Sequence, residues 1–443
     1  MNQAATLDVR LFINQRTMSP FQWLLVLLCF LIVAVDGMDV AIMGFAAPSI
    51  LADWHVSRSA FGLVMGAAPV GLALGALIAG SSSDWLGRRK VLIGSVFGFG
   101  VFTVLAAFSS NPTEMAALRF LTGFGLGAAM PNTTTLMSEY VPERSRGVLL
   151  TTMFTGFNLG SACIGFAAAY MLPAFGWKAL LLFGGCVPLA LVPVLYFYMP
   201  ESARFMVVRG FPAAQIRRNL GRVCRINLDT VTSFVSPDAN AGVKQPISVL
   251  FSGSYTLRTI TLWIAYFMGL LVIYLATSWM PTMMKDAGMS LGHAANLTAM
   301  FQLGGTIGAI LIGMLMDRYN PNRVIALSYV AGSALLIMLG LSGLLSGSVM
   351  ILVAAVGFFV SGAQTGLNAF APGCYPTVAR ATGVSWMLGI GRMGSILGSS
   401  IGGILLGMGW GFEIIISILA IPALIAALAI FINRISFTQN ETD

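Results

Sequence analysis

Charged residues are scarce in this sequence. Only 9% of its 443 residues are Asp, Glu, Lys or Arg, whereas 57% are hydrophobic. An ordinary soluble domain has about 25% charged residues, so this composition cannot cover a water-exposed surface. A disordered chain is also excluded, because such chains contain few apolar residues. The apolar residues fall into segments of about 20, the length that crosses the hydrocarbon core of a bilayer, and they predict a polytopic membrane protein.

Residues that build metal and catalytic centres are equally scarce. The two histidines, His55 and His293, lie in short polar connections, and the five cysteines form no CxxC pair. Zinc sites and disulfide frameworks need clustered or paired ligands, so neither is expected. No nucleophile has a neighbouring base, and no GK[ST] phosphate loop accompanies the glycine-rich runs. The sequence therefore predicts no enzyme, no metal site and no cofactor.

Twelve apolar segments are separated by short polar breaks, and one long polar stretch divides them into two sets of six. We expect helices at 21–48, 60–80, 91–109, 113–138, 148–172, 178–199, 257–280, 294–316, 324–346, 349–374, 381–408 and 411–433. The expected organisation is an N-terminal tail 1–20, a six-helix bundle 21–199, a central loop 200–256, a second six-helix bundle 257–433 and a tail 434–443.

The Lys and Arg residues predict the orientation of these helices. If both termini lie on one side, the loops of that side carry 19 Lys and Arg, and the opposite loops carry three. Basic residues concentrate in cytoplasmic loops, so we expect both tails and the central loop in the cytoplasm. The net charge of +8 is then a consequence of topology, and we expect no nucleic-acid partner.

The two sets of helices repeat one another. Asp84 lies in a Gly-SSS-Asp-WLG-Arg-Arg segment after the second helix, and Asp317 follows the eighth helix 233 residues later. Arg144-SR-Gly-Val and Arg380-AT-Gly-Val are a second pair, 236 residues apart. Two six-helix halves related by a parallel repeat are typical of major facilitator transporters, whose substrate site lies between the halves near the bilayer midplane. The expected fold is therefore all-α, with twelve transmembrane helices in two six-helix pseudo-repeats.

Two carboxylates interrupt the first apolar segment near its centre. Asp36 and Asp39 are three residues apart, so they lie on one helical face, and we expect them to share a cavity or a partner. A charged side chain at the bilayer centre costs about 2.5–3.5 kcal/mol on insertion scales, which indicates a role in carrying protons or contacting substrate. A buried ion pair is the alternative. Glu139, at the end of the fourth helix, is a third candidate for proton coupling, or else belongs to a gate or a capping salt bridge.

Two arginines lie inside predicted helices. Arg119 and Arg392 each present a planar fork that matches a carboxylate, so either can bind an anionic substrate or neutralise one of the acids. Three glycines around Arg392 indicate space for a ligand. Side chains that can hydrogen-bond or stack against a substrate ring are the other candidates: Gln302, Asn368, Asn158 and Trp279.

The loop after the second helix combines glycines, an acid and a basic cluster. An acid there can face the N-terminus of a neighbouring helix, where the helix dipole favours an anion. Breaking that contact would accompany a change of state, so we expect a gate, with an ordinary topogenic loop as the alternative. Together with counterparts in the second half, the expected gating residues are Gly80, Asp84, Gly87, Arg88, Arg89, Asp317 and Arg380.

These features occur within longer stretches that resemble a known family. The stretches are 7–14, 36–39, 118–123, 130–133, 200–205 and 380–392. Over its whole length the chain is similar to the major facilitator superfamily, and within it resembles the aromatic acid:proton symporters of bacterial inner membranes, which carry 4-hydroxybenzoate or protocatechuate. The resemblance implies import of such an anion with protons by alternating access. It also implies roles in transport for Asp36, Asp39, Arg119, Glu139, Arg380 and Arg392.

An efflux antiporter and a membrane sensor are the alternative functions. The fifth predicted helix lacks the GPxxGG-like segment that drug antiporters share, and no loop or tail has the length of a signalling domain. We therefore expect a monomeric importer in the bacterial inner membrane, whose partners are a small aromatic carboxylate, protons and the lipid bilayer.

Overall fold

The computed structural model describes most of the chain. The described residues are 5–226, 228, 231–235, 250–252, 255–342, 348–375 and 380–438, without the side chains of 5–6, 79–81, 84, 381 and 434–438. Much of the expected central loop, the ends of both expected tails and the end of the expected helix 324–346 lie outside the described residues.

Helices make up nearly all of the described chain. In chain order the elements are β1 (Ala5–Asp8), α1 (Val9–Asn14), α2 (Pro20–Trp54), α3 (Arg58–Leu86), α4 (Arg88–Ala106), α5 (Pro112–Tyr140), α6 (Glu143–Tyr198), α7 (Ala203–Val208), α8 (Ala213–Cys224), β2 (Val231–Val235), α9 (Tyr255–Asp286), α10 (Leu291–Arg318), α11 (Pro321–Leu341), α12 (Val349–Phe370), α13 (Arg380–Gly407), α14 (Phe412–Ile418) and α15 (Ala420–Thr438). A short 3₁₀ helix, Ala371–Cys374, follows α12.

The described helices account for twelve membrane crossings. Ten segments are long and apolar enough to cross a membrane. One of them, α6, has 56 residues and changes direction at Gly176, whose φ of 75° lies outside the helical region, so it provides two crossings. The less apolar α5 has 29 residues, about 43 Å of helix, and provides the last. The expected twelve-helix fold is confirmed, although several helices extend beyond the apolar segments that predicted them.

The segments outside the bilayer contain more structure than the sequence indicated. β1 and β2 pair as a two-stranded parallel sheet, which adds strands to an otherwise helical fold. The central segment, expected as a polar connection, contains α7 and α8. In α8, Ile216, Leu220 and Val223 are buried, so its apolar face packs against the protein. This sheet ties the N-terminal segment to the centre of the chain.

An ion pair links the two halves of the molecule at the end away from that sheet. Arg58, the first residue of α3, donates from Nε to Asp286 Oδ2 at 2.7 Å and from Nη2 to Oδ1 at 2.6 Å. Asp286 is the last residue of α9. We call this the Arg58 end. The opposite end, which holds β1 and β2, is called the terminal end.

Glycines bring the two halves into contact at the Arg58 end. A Cβ on Gly62 of α3 would lie 2.7 Å from the carbonyl oxygen of Ser400 in α13. A Cβ on Gly165 of α6 would lie 2.7 Å from the Cβ of Ala299 in α10. Small residues allow helices in a bilayer to approach this closely. The halves are therefore sealed against each other at this end.

Toward the terminal end, glycines of α6, α10 and α13 lack such close contacts. Gly147, near the start of α6, and Gly313, near the end of α10, have no described atom within 4 Å of the Cβ that each would carry. The same holds for Gly389 in the first half of α13. Open space among the described atoms therefore lies beside α6, α10 and α13 toward the terminal end.

Removing the ion pair should favour opening at the Arg58 end. The two side chains are 45% and 32% exposed, and an exposed pair contributes about 0.2–1 kcal/mol. Arg58→Ala should therefore shift the equilibrium toward states open at this end by about 1.4- to 5-fold. A cysteine at Ser400, in a variant without the five native cysteines, reports the shift through its rate of reaction with an impermeant maleimide.

Lys178→Ala is the matched control for this experiment. Lys178 lies 5.4 Å from the Trp177 ring centroid and so packs within its own half. Its removal should leave the labelling rate unchanged. An equal rate in the Arg58→Ala variant and the unaltered protein would show that the ion pair has no effect on opening.

Candidate functional site

Asp39 and Arg119 form an ion pair buried inside the N-terminal half. Arg119 donates from Nη2 to Asp39 Oδ2 at 2.9 Å and from Nη1 to Oδ1 at 3.2 Å. Thr103 of α4 donates a further hydrogen bond to Asp39 Oδ1. Both side chains of the pair are 1% exposed. The fork of Arg119 is thus already filled by a carboxylate of the protein.

Asp36 has a different environment although it lies on the same helix. Its side chain is 2% exposed, and its Oδ1 atom has no hydrogen-bond partner among the described residues. The backbone beside it packs against α6, because a Cβ on Gly37 would overlap Phe157 and Ser161 Oγ donates to the Gly37 carbonyl at 2.7 Å. The two aspartates, expected to share a cavity or a partner, therefore do not share a partner.

Arg392 lies on the facing half of the molecule, in α13. It is half-buried, and its Nη1 atom is 3.5 Å from the hydroxyl of Tyr274 in α9. Its positive charge interacts electrostatically with the side chains of Asp36, Tyr266 and Tyr274. No described carboxylate lies within the 4.0 Å of an ion pair. Its guanidinium is therefore available to an anion that enters the central space.

The glycines around Arg392 do two different things. A Cβ on Gly391 would overlap the ring of Tyr266, and a Cβ on Gly394 would overlap the carbonyl of Phe267. These two glycines allow α13 to pack closely on α9. Gly389 alone faces open space. The expectation that three glycines clear room for a ligand therefore applies to Gly389, while the other two position the helix that carries Arg392.

Gln302, in α10, contacts α9, the same helix that Arg392 contacts through Tyr274. Its Nε2 atom donates to Thr277 Oγ1 at 3.0 Å, and Thr277 is one helical turn beyond Tyr274 in α9. Gln302 is 1% exposed, and its Oε1 atom has no partner among the described residues. A buried amide oxygen without a donor can accept a hydrogen bond from a ligand or a water.

Asn368 belongs to a polar cluster in the C-terminal half. Tyr329 donates from its hydroxyl to Gln364 Oε1 at 2.7 Å, and Gln364 Nε2 lies 3.4 Å from the Tyr266 carbonyl. Asn368, one turn beyond Gln364 in α12, is half-buried. The cluster fixes the orientation of Tyr266 beside Arg392.

Trp279 is buried in the contact between α9 and α13. Its indole donates to the Ser399 carbonyl at 2.7 Å, and Gly402 and Gly403 accommodate its ring. The side chain has no exposed surface. In this structure it packs the two helices together and does not face the central space.

Glu139 lies at the terminal end of the N-terminal half. It forms an ion pair with Arg88 and accepts a hydrogen bond at 2.5 Å from Ser202 Oγ. About 30 Å of helix separates it from Arg119 in the same helix α5. It is therefore remote from Asp36 and Arg392.

Hydrogen bonds next to the Glu139–Arg88 ion pair stabilise the turn between α3 and α4. Gly87, with a φ of 92°, adopts a conformation that favours glycine. The backbone amide of Arg89 donates to Glu201 Oε1 at 3.1 Å. Tyr140 donates to the Glu201 carbonyl at 2.5 Å. These contacts join α4, α5 and the end of α6 within one half.

The remaining expected gating residues are placed less completely. Gly80 and Asp84 lie in the last turns of α3, and the side chain of Asp84 is outside the described part of the chain. Asp317, near the end of α10, and Arg380, at the start of α13, are exposed at the terminal end. The structure therefore pairs Arg88 with Glu139 and Arg89 with Glu201, and leaves the second-half counterparts at the surface.

The space between the halves narrows sharply toward the Arg58 end. A cavity of about 20 Å³ remains there, lined in part by Val40, Tyr274, Ser278 and Ser399. That volume holds about one water molecule and no aromatic ring. This cavity therefore gives an aromatic substrate no passage to Arg392 or Asp36.

Known proteins share this arrangement of two six-helix halves around a central site. The family model of the Major Facilitator Superfamily matches residues 29–356 and 262–441. The chain belongs to this superfamily. The family expected from the sequence is thereby confirmed.

Two curated relatives of this facilitator cover nearly its whole length. A gallate transporter of Pseudomonas putida is 52% identical over 429 residues, which are 97% of this chain and 95% of the relative. The 4-hydroxybenzoate transporter PcaK of Pseudomonas aeruginosa is 48% identical over 431 residues, 96% of each chain. Both are named as transporters, in agreement with the expectation that this chain is not an enzyme.

Solved structures support the same fold. The xylose transporter XylE from E. coli, in a partially occluded inward open conformation, aligns with a TM-score of 0.71. The alignment covers 92% of this chain and 98% of that chain, at 18% sequence identity. Identity this low shows that the facilitator fold is shared, and nothing about the substrate.

Sequence reasoning missed one buried residue of the central space, Ser361. Its side chain is 3% exposed, and its Oγ atom has no partner among the described residues. A signal was present, because Ser361, Gln364, Thr365 and Asn368 recur at the helical spacing i, i+3, i+4 and i+7 in an otherwise apolar segment. That spacing places polar groups on one helical face.

The ion pair of this facilitator predicts that its two aspartates differ in their effect on stability. Asp39→Asn leaves the buried charge of Arg119 without its partner, which costs about 3–5 kcal/mol. Asp36→Asn, the same change three residues away, removes no hydrogen bond to Oδ1 and should cost far less. Thermal unfolding of the purified proteins in detergent measures the difference.

The double variant Asp39→Asn with Arg119→Gln provides the internal control. It removes both charges and should recover part of the stability lost in Asp39→Asn. Equal unfolding temperatures for Asp36→Asn and Asp39→Asn would contradict a stabilising role for the ion pair.

Proposed function

We propose that this protein imports hydroxylated benzoate anions together with protons across the bacterial inner membrane. The relatives named for gallate and for 4-hydroxybenzoate support this substrate class, because both compounds are carboxylates on a hydroxylated ring. The observation that carries the proposal is Arg392, a half-buried guanidinium between the two halves with no described carboxylate in ion-pair contact.

Arg392 would hold the substrate carboxylate. A guanidinium keeps its charge in a protein and forms two parallel hydrogen bonds to a carboxylate. Tyr274, 3.5 Å from Nη1, would fix the orientation of the fork. The amides of Gln302 and Asn368 lie on the same side of the central space and would contact the ring or its substituents.

Asp36 would carry the coupling proton. Without substrate, the positive charge of Arg392 attracts the carboxylate of Asp36. A bound substrate carboxylate would neutralise Arg392 and remove that attraction. The carboxylate of Asp36 and the incoming anion would then repel each other, so that protonation of Asp36 and substrate binding favour one another. Such mutual dependence is the thermodynamic condition for coupling two ligands.

The other candidates for these roles already have partners. Asp39 and Arg119 neutralise each other, and Glu139 is paired with Arg88 at the terminal end. Trp279 is buried between α9 and α13, where its indole donates to the Ser399 carbonyl. We therefore place proton coupling on Asp36 and substrate binding on Arg392, and assign supporting roles to the rest.

Transport would proceed by alternating access to this site. With the basic loops in the cytoplasm, the terminal end faces inward, and the present arrangement is an inward-open state. Opening of the Arg58 end and closure of the terminal end would expose the same site to the outside. The two halves of one chain enclose the site, so the proposal requires only a monomer.

The energetics permit uphill import. A tenfold inward proton gradient supplies about 1.4 kcal/mol per proton. If two protons accompany one monovalent anion, the net charge of +1 contributes about 2.3 kcal/mol per 100 mV of membrane potential. Either contribution is enough to concentrate the substrate about tenfold or more.

Arg392→Lys tests the carboxylate contact. Lysine keeps the charge and lacks the planar fork, so one charge-assisted hydrogen bond is lost at a cost of about 1.5–3 kcal/mol. Affinity for 4-hydroxybenzoate should fall by about tenfold or more, as measured by calorimetry on the purified transporter. Arg218→Lys, an exposed position in α8, is the control. Unaltered affinity in Arg392→Lys would exclude Arg392 from the site.

Asp36→Asn tests proton coupling. Asparagine resembles the protonated acid, so the variant should still exchange labelled for unlabelled substrate, because exchange needs no net proton movement. It should lose accumulation driven by a pH gradient. Proteoliposomes loaded with unlabelled substrate measure both activities. Asp53→Asn, the same change at an exposed position of α2, should accumulate normally, and full accumulation by Asp36→Asn would contradict the assignment.

A further inference from the structure

Polar side chains from both halves of the molecule meet around Gly305 of α10. A Cβ on Gly305 would lie 3.0 Å from Ser361 Oγ and 3.3 Å from Asn158 Nδ2. Ser361 belongs to α12 in the C-terminal half, and Asn158 belongs to α6 in the N-terminal half. The nearest atom to that Cβ would be Ser361 Cβ, at 2.8 Å. The absence of a side chain at Gly305 therefore allows polar side chains from both halves to approach the same point of α10.

Two buried polar atoms of this region have no hydrogen-bond partner among the described residues: Ser361 Oγ and Gln302 Oε1. Their side chains are 3% and 1% exposed, and Gln302 is one helical turn before Gly305. Buried polar atoms in native proteins nearly always have partners, and an exception points to a water or ligand. We call the group of Asn158, Gln302, Gly305 and Ser361 the Gly305 notch.

A chain of contacts connects the Gly305 notch to Arg392. Gln302 Nε2 donates to Thr277 Oγ1 at 3.0 Å. Thr277 is one turn from Tyr274, whose hydroxyl is 3.5 Å from Arg392 Nη1. Gln302 of the notch and Arg392 thus both contact α9, at Thr277 and Tyr274, which are one helical turn apart. An aromatic acid likewise has a charged group and neutral polar groups separated by a ring.

We propose that the Gly305 notch binds the ring hydroxyl groups of the substrate and so determines which benzoates are carried. The inference rests on the proposed function, because it takes the carboxylate to be held by Arg392. A phenolic hydroxyl donates to Gln302 Oε1 or Ser361 Oγ, and its oxygen accepts a hydrogen bond from Asn158 Nδ2. An unsubstituted benzoate leaves these atoms without partners, and a site built to hydrogen-bond a hydroxyl rejects an analogue that lacks it.

The test compares three ligands: benzoate, 4-hydroxybenzoate and 3,4,5-trihydroxybenzoate. Dissociation constants are measured by calorimetry for the full-length protein and for Ser361→Ala. The change should weaken binding of the hydroxylated ligands about tenfold, the equivalent of one hydrogen bond of about 1.4 kcal/mol. Affinity for benzoate should stay within about twofold, because benzoate makes no hydrogen bond to Ser361.

Two further variants separate hydroxyl recognition from structural effects. Ser328→Ala is the control, because Ser328 is also buried in a membrane helix and donates to the Val324 carbonyl at 2.8 Å. It should leave all three dissociation constants unchanged. Gly305→Ala keeps every polar group but displaces Ser361, because the new Cβ would lie 2.8 Å from Ser361 Cβ, so it should lower selectivity for hydroxylated ligands as Ser361→Ala does. Unfolding temperatures establish that each variant is folded, and Ser361→Ala decides alone if Gly305→Ala is not.

The outcomes distinguish the two proposals. An unchanged ratio of affinities in Ser361→Ala, or an equal loss for all three ligands, would overturn the Gly305 notch as the hydroxyl site, because it then holds structural water only. The proposed function would survive that result. Failure of the unaltered protein to bind any of the three benzoates would overturn the proposed function and the notch together.

Discussion

The cost of an unpaired charge in a membrane determines the arrangement of this protein's core. Arg119 and Asp39 avoid that cost because they neutralise each other within one half, where both side chains are 1% exposed. A pair of this kind cannot respond to a ligand without a large loss of stability. Asp36 and Arg392 are different, because they lie on opposite halves and act on each other without forming an ion pair. In the proposed function, the charges that respond to substrate and protons are therefore Asp36 and Arg392, which form no ion pair with a described residue.

Contacts within the N-terminal half also differ from the contacts between the halves. At the terminal end, Glu139 and Glu201 tie the turn between α3 and α4 to the ends of α5 and α6, so the N-terminal half is braced as one body. At the Arg58 end, the halves meet through glycines and one partly exposed ion pair. Exposed ion pairs contribute little, and close-packed glycine contacts carry no hydrogen-bonded side chains that must be broken. Rigid halves with a modest contact between them suit a molecule that exchanges one opening for another.

The central space combines a charge-selective side and a neutral polar side. In the proposed function, Arg392 would provide an ionic contact common to all carboxylates, which does not distinguish one ring from another. The neutral atoms of Gln302 and Ser361 are sensitive to position, because a hydrogen bond requires a donor at the right distance and angle. Under these two proposals, binding strength and choice among related substrates would depend on different residues. Tyr274 lies between them, in contact with Arg392 and one turn from the residue that holds Gln302.

The sequence by itself determined the membrane crossings, their division into two halves, and the presence of acids and arginines inside helices. These follow from composition and local spacing, because hydrophobic length and charge cost act on each segment separately. Only the tertiary structure decided that Arg119 pairs with Asp39 and not with a substrate, since these residues are 80 positions apart. It also decided that Trp279 packs inside a half and that Ser361 faces the centre. Helical spacing shows which residues share a face, but the neighbour of that face is chosen by packing between distant segments, which no local pattern encodes.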